Sequence, residues 1–122
     1  MATAYEQDFY RWAHEQSELL KAGRLGELDV GHLADEIEGM GKSQKRELLN
    51  RLVILLLHLL KWQFQPGLRS RSWQLTVKEQ RRRIERHLAE NPSLAAELPV
   101  VLTEAYELAA LGAERETGLP ES

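Results

Sequence analysis

Residues 51–73 read RLVILLLHLLKWQFQPGLRSRSW. From Leu52 to Leu60 every position except His58 is apolar. Taken back to Leu48, the run is apolar nearly all round a helical cylinder. The helix that carries it, about residues 43–64, is therefore predicted to be the central and most buried element. Pro66-Gly67 stops it. Nowhere does the chain show alternating β-branched residues or an Asn-Gly or Asp-Gly hairpin signal. These features predict an all-α fold: an antiparallel up-down bundle of four to five helices around this very apolar helix, with short loops.

The flanking segments repeat the helical pattern. Tyr5, Phe9, Trp12, Leu19 and Leu20 recur at helical intervals, giving a first helix over about Ala4 to Lys21. Thr3 and Glu6 have capping-box spacing, and Gly23 ends the helix. Asp29 is a good N-cap for a second helix, in which Val30, Leu33, Ile37 and Met40 line one face. Gly39 and Gly41 weaken that helix, leaving either a break or a kink before the central one. A further helix should start near Ser72, which caps it, and end before Pro92. Trp73, Val77, Ile84 and Leu88 mark its buried face. After Ser93 and a short turn, a last helix over about Leu98 to Glu116 places Leu98, Val101, Ala105, Leu108 and Gly112 on one side. Gly118 and Pro120 end it.

The length of 122 residues fits one helical domain, 1–122, with no linker domain. There are no cysteines, which removes disulfides, zinc–thiolate sites and cysteine nucleophiles and fits a reducing cytoplasm. The start, MATAYEQDFYRW, is polar and acidic rather than signal-like. The run Leu52–Leu60 is far short of the roughly 20 apolar residues that span a bilayer. A cytoplasmic protein without a membrane partner is expected.

Charge is segregated. Residues 1–40 hold nine acids and three bases, residues 41–90 twelve bases and four acids, and residues 91–122 six acids and one base. A basic middle packed between acidic ends explains all three segments. A nucleic-acid surface explains only the middle one, where Trp62, Phe64 and Trp73 lie among arginines and lysines between Lys61 and Arg86.

His58 belongs to a stripe. Glu47, Arg51, Ile54, His58 and Lys61 follow one another at spacings of four and three, so they share one side of the central helix. Asp35 and Glu38 share a face of the preceding helix. Packed against His58, either would complete the carboxylate–histidine pair that general-base chemistry needs, and that structural contacts also use. Asp29-x-x-His32 is the nearest approach to a metal-ligand pattern and has no counterpart on another helix. Asp29 is better read as a cap and His32 as exposed, so no metal and no cofactor is expected. Arg69 and Arg71 flank Ser70 ahead of a helix N-terminus. With Lys61 and Trp73 nearby they are a candidate site for an anion or a partner's carboxylate.

Several stretches together carry a resemblance: YEQDFYRW at 5–12, LDVGHLADEIEGMG at 28–41, HLLKWQFQP at 58–66, RSRSW at 69–73, NPSL at 91–94 and ERETGL at 114–119. In this order they resemble the bacterial domain of unknown function family number twenty-nine. The resemblance implies a small all-helical protein and implies no activity. The residues themselves favour a non-enzymatic helical interaction protein that takes a protein partner or self-associates. A nucleic-acid-associated regulator using residues 61–86, and an enzyme built on His58 with Asp35 or Glu38, are the alternatives.

Overall fold

The structure, a computed structural model, describes residues 4–118. Among these residues it contains four α-helices and no strand: α1 (Phe9–Lys21), α2 (Val30–Phe64), α3 (Arg71–Glu90) and α4 (Leu98–Thr117). It is an all-α bundle, as the periodicity predicts. Short 3-10 turns stand between the helices at Leu25–Glu27, Pro66–Leu68 and Pro92–Glu97. No described helix is long and apolar enough to cross a membrane. The chain divides into two compact units, Met1–Lys42 and Ser43–Ser122.

In the first unit, α1 begins later than predicted. Asp8 is its N-cap, accepting a hydrogen bond from the Arg11 amide at 3.1 Å. The side chain of an N-cap replaces the partner that a first-turn amide lacks. Ala4 to Asp8 instead form a turn closed by the Gln7 and Asp8 amides on the Ala4 carbonyl. Thr3, the expected cap, lies outside the described residues, as does Pro120. Gly23 adopts φ 71° just past α1 and Gly118 φ 74° just past α4, the left-handed conformation that helix ends assign to glycine.

Of the two outcomes left open at Gly39–Gly41, a break or a kink in one long helix, the break does not occur. α2 runs unbroken through both glycines, neither of which has positive φ. Their neighbours are good helix formers, and Glu38 pairs with Lys42 one turn on, at 2.8 Å, across the weak stretch.

The second unit is built on Leu48, Leu52, Ile84, Val101 and Ala105, drawn from α2, α3 and α4. Two details differ from the sequence reading. The apolar run of α2 is buried at Leu48 and Leu52 but only half-buried over most of residues 53–60, and Ile54 is exposed. In α4 the buried stripe is Val101, Ala105 and Ala109, while Leu108 turns outward. Small side chains let α4 approach α2 closely, and a Cβ on Gly112 would meet Leu57 Cδ1 at 3.5 Å. On α3, Gln80 and His87 join Ile84 in the buried face. His87 Nε2 donates to the Gln44 carbonyl at 2.8 Å, whereas Gln80 Oε1 is buried without a hydrogen-bond partner. Ser70, not Ser72, caps α3 by accepting from the Trp73 amide at 3.2 Å.

Two stability outcomes follow from this geometry. A Cβ at Gly39 or Gly41 meets nothing within 4 Å. Gly39→Ala and Gly41→Ala should therefore each stabilise the protein by about 0.5–1 kcal/mol in urea unfolding followed by circular dichroism. A loss of stability would show that α2 is not continuous there in solution. Gln80→Met removes an unsatisfied buried acceptor at similar volume and should gain roughly 1–3 kcal/mol in the same assay. A loss there would mean that the acceptor has a partner in solution.

Candidate functional site

The most organised cluster of polar and aromatic side chains lies in the first unit, around the start of α2. Its centre is Asp29, the residue before the first turn of that helix. Asp29 Oδ2 accepts from Trp12 Nε1 at 3.0 Å and from His32 Nδ1 at 2.7 Å. Its backbone amide donates to Gln16 Oε1 at 2.8 Å. Trp12 and Gln16 are the two buried residues of α1, only 2% and 3% exposed. A buried tryptophan needs a partner for its N–H, and a buried glutamine for its amide. One residue of the next element supplies both, so α1 is joined to α2 through polar contacts beneath its aromatic face.

His32 stands one turn along α2 from Asp29. Because a carboxylate only accepts, Nδ1 carries the proton in this pair. Nε2 faces Glu6 Oε1 at 3.6 Å. The Tyr5 ring stacks on the imidazole, with centroids 4.2 Å apart and planes inclined by 11°. The Tyr5 hydroxyl donates to Glu36 Oε1. Tyr5 also meets Phe9 and Trp12 edge-on, at 5.6 and 4.7 Å.

The electrostatics follow from these contacts. The hydrogen bond from His32 holds the Asp29 carboxyl below its ordinary range, and the one from Trp12 adds to it. Asp29 in turn raises the pKa of His32, first through that hydrogen bond and then through its charge, with Glu6 and Asp35 contributing. Tyr5 is pushed up to about 12, chiefly because its hydroxyl donates a hydrogen bond to the Glu36 carboxylate. The result is an imidazole oriented by a carboxylate through one nitrogen and open toward a second carboxylate through the other. That arrangement can hold or pass a proton. Among the described residues no group of three or more His, Cys, Asp or Glu is placed to hold a metal ion.

Beside this cluster runs an apolar groove. Phe9 and Leu20 of α1 form one wall, and Leu33, Ile37 and Met40 of α2 the other. Phe9 is 50% exposed, Leu20 51%, and Ile37 and Met40 66% each.

Of the residues singled out from the sequence, Asp35 adds its charge beside His32 and the others fall elsewhere. Asp35 and Glu38 lie in the first unit and His58 in the second. All three stand on one helix, α2, so the two facing helices that the His58–carboxylate pair requires are a single helix. His58 Nδ1 donates instead to the Ile54 carbonyl at 2.8 Å, and Glu38 is engaged by Lys42. Lys61 pairs with Glu116 at 3.2 Å and lies over the Trp73 ring at 5.0 Å, drawing α2, α3 and α4 together. Arg69 turns back to α2: its Nε donates to the Trp62 carbonyl at 2.7 Å and its guanidinium lies over the Trp62 ring. It satisfies a carbonyl that the helix end leaves open. Arg71 is the first residue of α3 and exposed.

The sequence reading missed the bonds that join Trp12, Gln16, Asp29 and His32. The available signal was the polar handle of Trp12 on an otherwise apolar face, together with the i,i+3 spacing of Asp29 and His32.

A family model described as "Domain of unknown function DUF29" matches residues 4–122. No curated protein and no solved structure matches the chain.

Trp12→Phe keeps a ring in the buried position and removes the Nε1 donor. Asp29 should then titrate closer to its ordinary 3.8, read from carboxyl shifts in an NMR titration. A lowered carboxyl pKa gives stability that is present above that value and lost as pH falls through the folded one. The variant should therefore begin to unfold at a higher pH on acidification. An unmoved Asp29 would show that Trp12 does not hold its charge.

Proposed function

The chain belongs to the DUF29 family, and we propose that it is a helical interaction protein whose first unit receives an amphipathic helix from another protein. The observation that carries this reading is the groove between α1 and the start of α2. Leu33, Ile37 and Met40 recur at four and three along one side of α2, and Phe9 and Leu20 face the same groove from α1. Ile37 and Met40 are two-thirds exposed. A stripe of this kind is what an apolar helix face lies into.

The charge around it favours one class of partner. Nine of the first forty residues are acidic and three are basic. An incoming helix with lysines or arginines flanking its apolar face complements that field, which speeds encounter and disfavours acidic helices. At 13 residues, α1 offers a wall about 20 Å long, enough for three to four turns of a partner. The floor of the groove is held by the Trp12–Asp29–Gln16 bonds, so the surface is pre-formed and binding orders little of it. We place the interaction in the cytoplasm, where a cysteine-free chain gives up nothing.

Two fluorescein-labelled 14-residue peptides test the reading, one of leucines and lysines in amphipathic order and one with glutamate in place of lysine. The lysine peptide should bind in an anisotropy titration, more weakly as salt is raised, and the glutamate peptide should not. Ile37→Gln/Met40→Gln should weaken that binding at least tenfold, about 1.4 kcal/mol, with the helical circular dichroism unchanged. Equal binding of the two peptides, or native binding by the double variant, would sink the proposal. Light scattering that finds a dimer which the double variant abolishes would assign the groove to a second copy instead.

A further inference from the structure

Two side chains of the turn Ala4–Asp8, those of Tyr5 and Glu6, reach the start of α2, and Tyr5 also packs on Phe9 and Trp12 of α1. Tyr5 stacks on His32 and donates to Glu36, and Glu6 Oε1 faces His32 Nε2 at 3.6 Å. Both residues meet the same imidazole, one on its ring face and one at its free nitrogen. Asp29 and Asp35 bring negative charge from α2's own N-terminal end, Glu36 lies behind the Tyr5 hydroxyl, and α1 offers the uncharged Trp12 ring at 6.4 Å. The imidazole is therefore surrounded by carboxylates, with no positive side chain among these neighbours.

The geometry points to a proton-operated latch: His32, protonated, clasps the N-terminal turn onto α2 through Glu6 and the Tyr5 stack, and on losing its proton lets that turn go. The balance is simple. The proton leaves from Nε2 to solvent, because Nδ1–H is committed to Asp29 Oδ2 at 2.7 Å. The neutral ring then presents a lone pair to the Glu6 carboxylate. An attraction between opposite charges becomes a repulsion between two acceptors. Tyr5 loses the charge beneath its ring and is left with its bond to Glu36 and its edge contacts with Phe9 and Trp12.

The sign is fixed by the direction of the His32 shift. A histidine with a raised folded-state pKa contributes stability that is fully present below its ordinary 6.5 and lost as pH rises through the folded value. The latch is closed on the acid side and opens on the alkaline side of that value. Tyr5 takes no part in the titration, since it loses its proton only at about 12. The latch requires no partner in the groove, so it stands or falls apart from the docking proposal.

Nuclear magnetic resonance on the full chain between pH 5 and 9 tests it. The His32 ring should titrate above its ordinary 6.5. Cross-relaxation between the Tyr5 and His32 rings, and the heteronuclear NOE of the Glu6, Gln7 and Asp8 amides, should fall together with the same midpoint. In His32→Phe, which keeps a stacking ring and removes the charge, the cross-relaxation from Tyr5 to the ring at position 32 and the heteronuclear NOE should both stay flat. That variant also controls for the terminal amine, which titrates near pH 8. In Glu6→Gln the His32 midpoint should move down and the change in the turn should shrink. The latch is overturned if residues 5–8 keep their order through the His32 midpoint, or if His32→Phe shows the same change as the native chain. Should His32→Phe fail to fold, an unmoved midpoint in Glu6→Gln overturns it equally.

Discussion

The first unit is arranged around one carboxylate. Asp29 sits where the chain enters α2, and an acceptor at that place is favoured twice: it caps open amides and it faces the positive end of the helix. Here the same side chain also receives the indole N–H of Trp12 and the Nδ1–H of His32. Its own amide satisfies the buried Gln16. A unit of some forty residues buries little apolar surface. In this one only Trp12 among the described apolar residues is nearly inaccessible. Directional bonds to a single anchor therefore do much of the positioning that a larger core would do by packing. Once Trp12 and His32 are fixed by Asp29, their rings give Tyr5 its place, and the wall carrying Phe9 and Leu20 is set against Leu33, Ile37 and Met40.

The second unit follows a different logic. Its centre is aliphatic, with Leu48, Val101 and Ala105 essentially inaccessible. Ala105 and Ala109 rather than Leu108 occupy the inner stripe of α4, and a Cβ on Gly112 would already meet Leu57 of α2. Cations there are spent on structure. Lys61 bridges Glu116 and the Trp73 ring, and Arg69 closes the end of α2. On α3, Arg83 pairs with Glu79 and Arg86 with Glu90 along the helix. Much of the basic charge of residues 41–90 thus has acidic or carbonyl partners within its own unit. His87, buried and bonded to the Gln44 carbonyl, is the histidine used as a packing residue.

Much of the fold was legible in the sequence because helix periodicity and chain-breaking residues act locally. Gly23, Pro66-Gly67, Pro92 and Gly118 lie at or beside the ends they were expected to mark. The short turn before Leu98 and the helix after it match the reading of Pro99. Helix starts were less legible. Asp8 and Ser70 cap α1 and α3, although Thr3 and Ser72 were equally good candidates by composition. Several capping residues stood near each start, and the choice among them depends on where the helix is needed for packing. The candidate site was scarcely legible. Asp29, His32 and Trp12 each had a sufficient local explanation as cap, exposed side chain and apolar face. Nothing in their spacing alone shows that 17 residues of chain fold back to bring Trp12 Nε1 onto Asp29.

By itself the sequence determined the helical class, the approximate number of helices, most of their ends and the family, since these rest on short-range pattern and on order along the chain. Tertiary structure decided which polar groups meet. It turned Asp29, with Trp12 and His32, into the hub of an aromatic cluster, and set Lys61 between Glu116 and the Trp73 ring. The physical reason is the range of the forces involved. Periodicity and capping are settled within a turn or two of helix. A hydrogen bond between distant residues requires both groups to be desolvated in register, and that register is set only when the helices have packed.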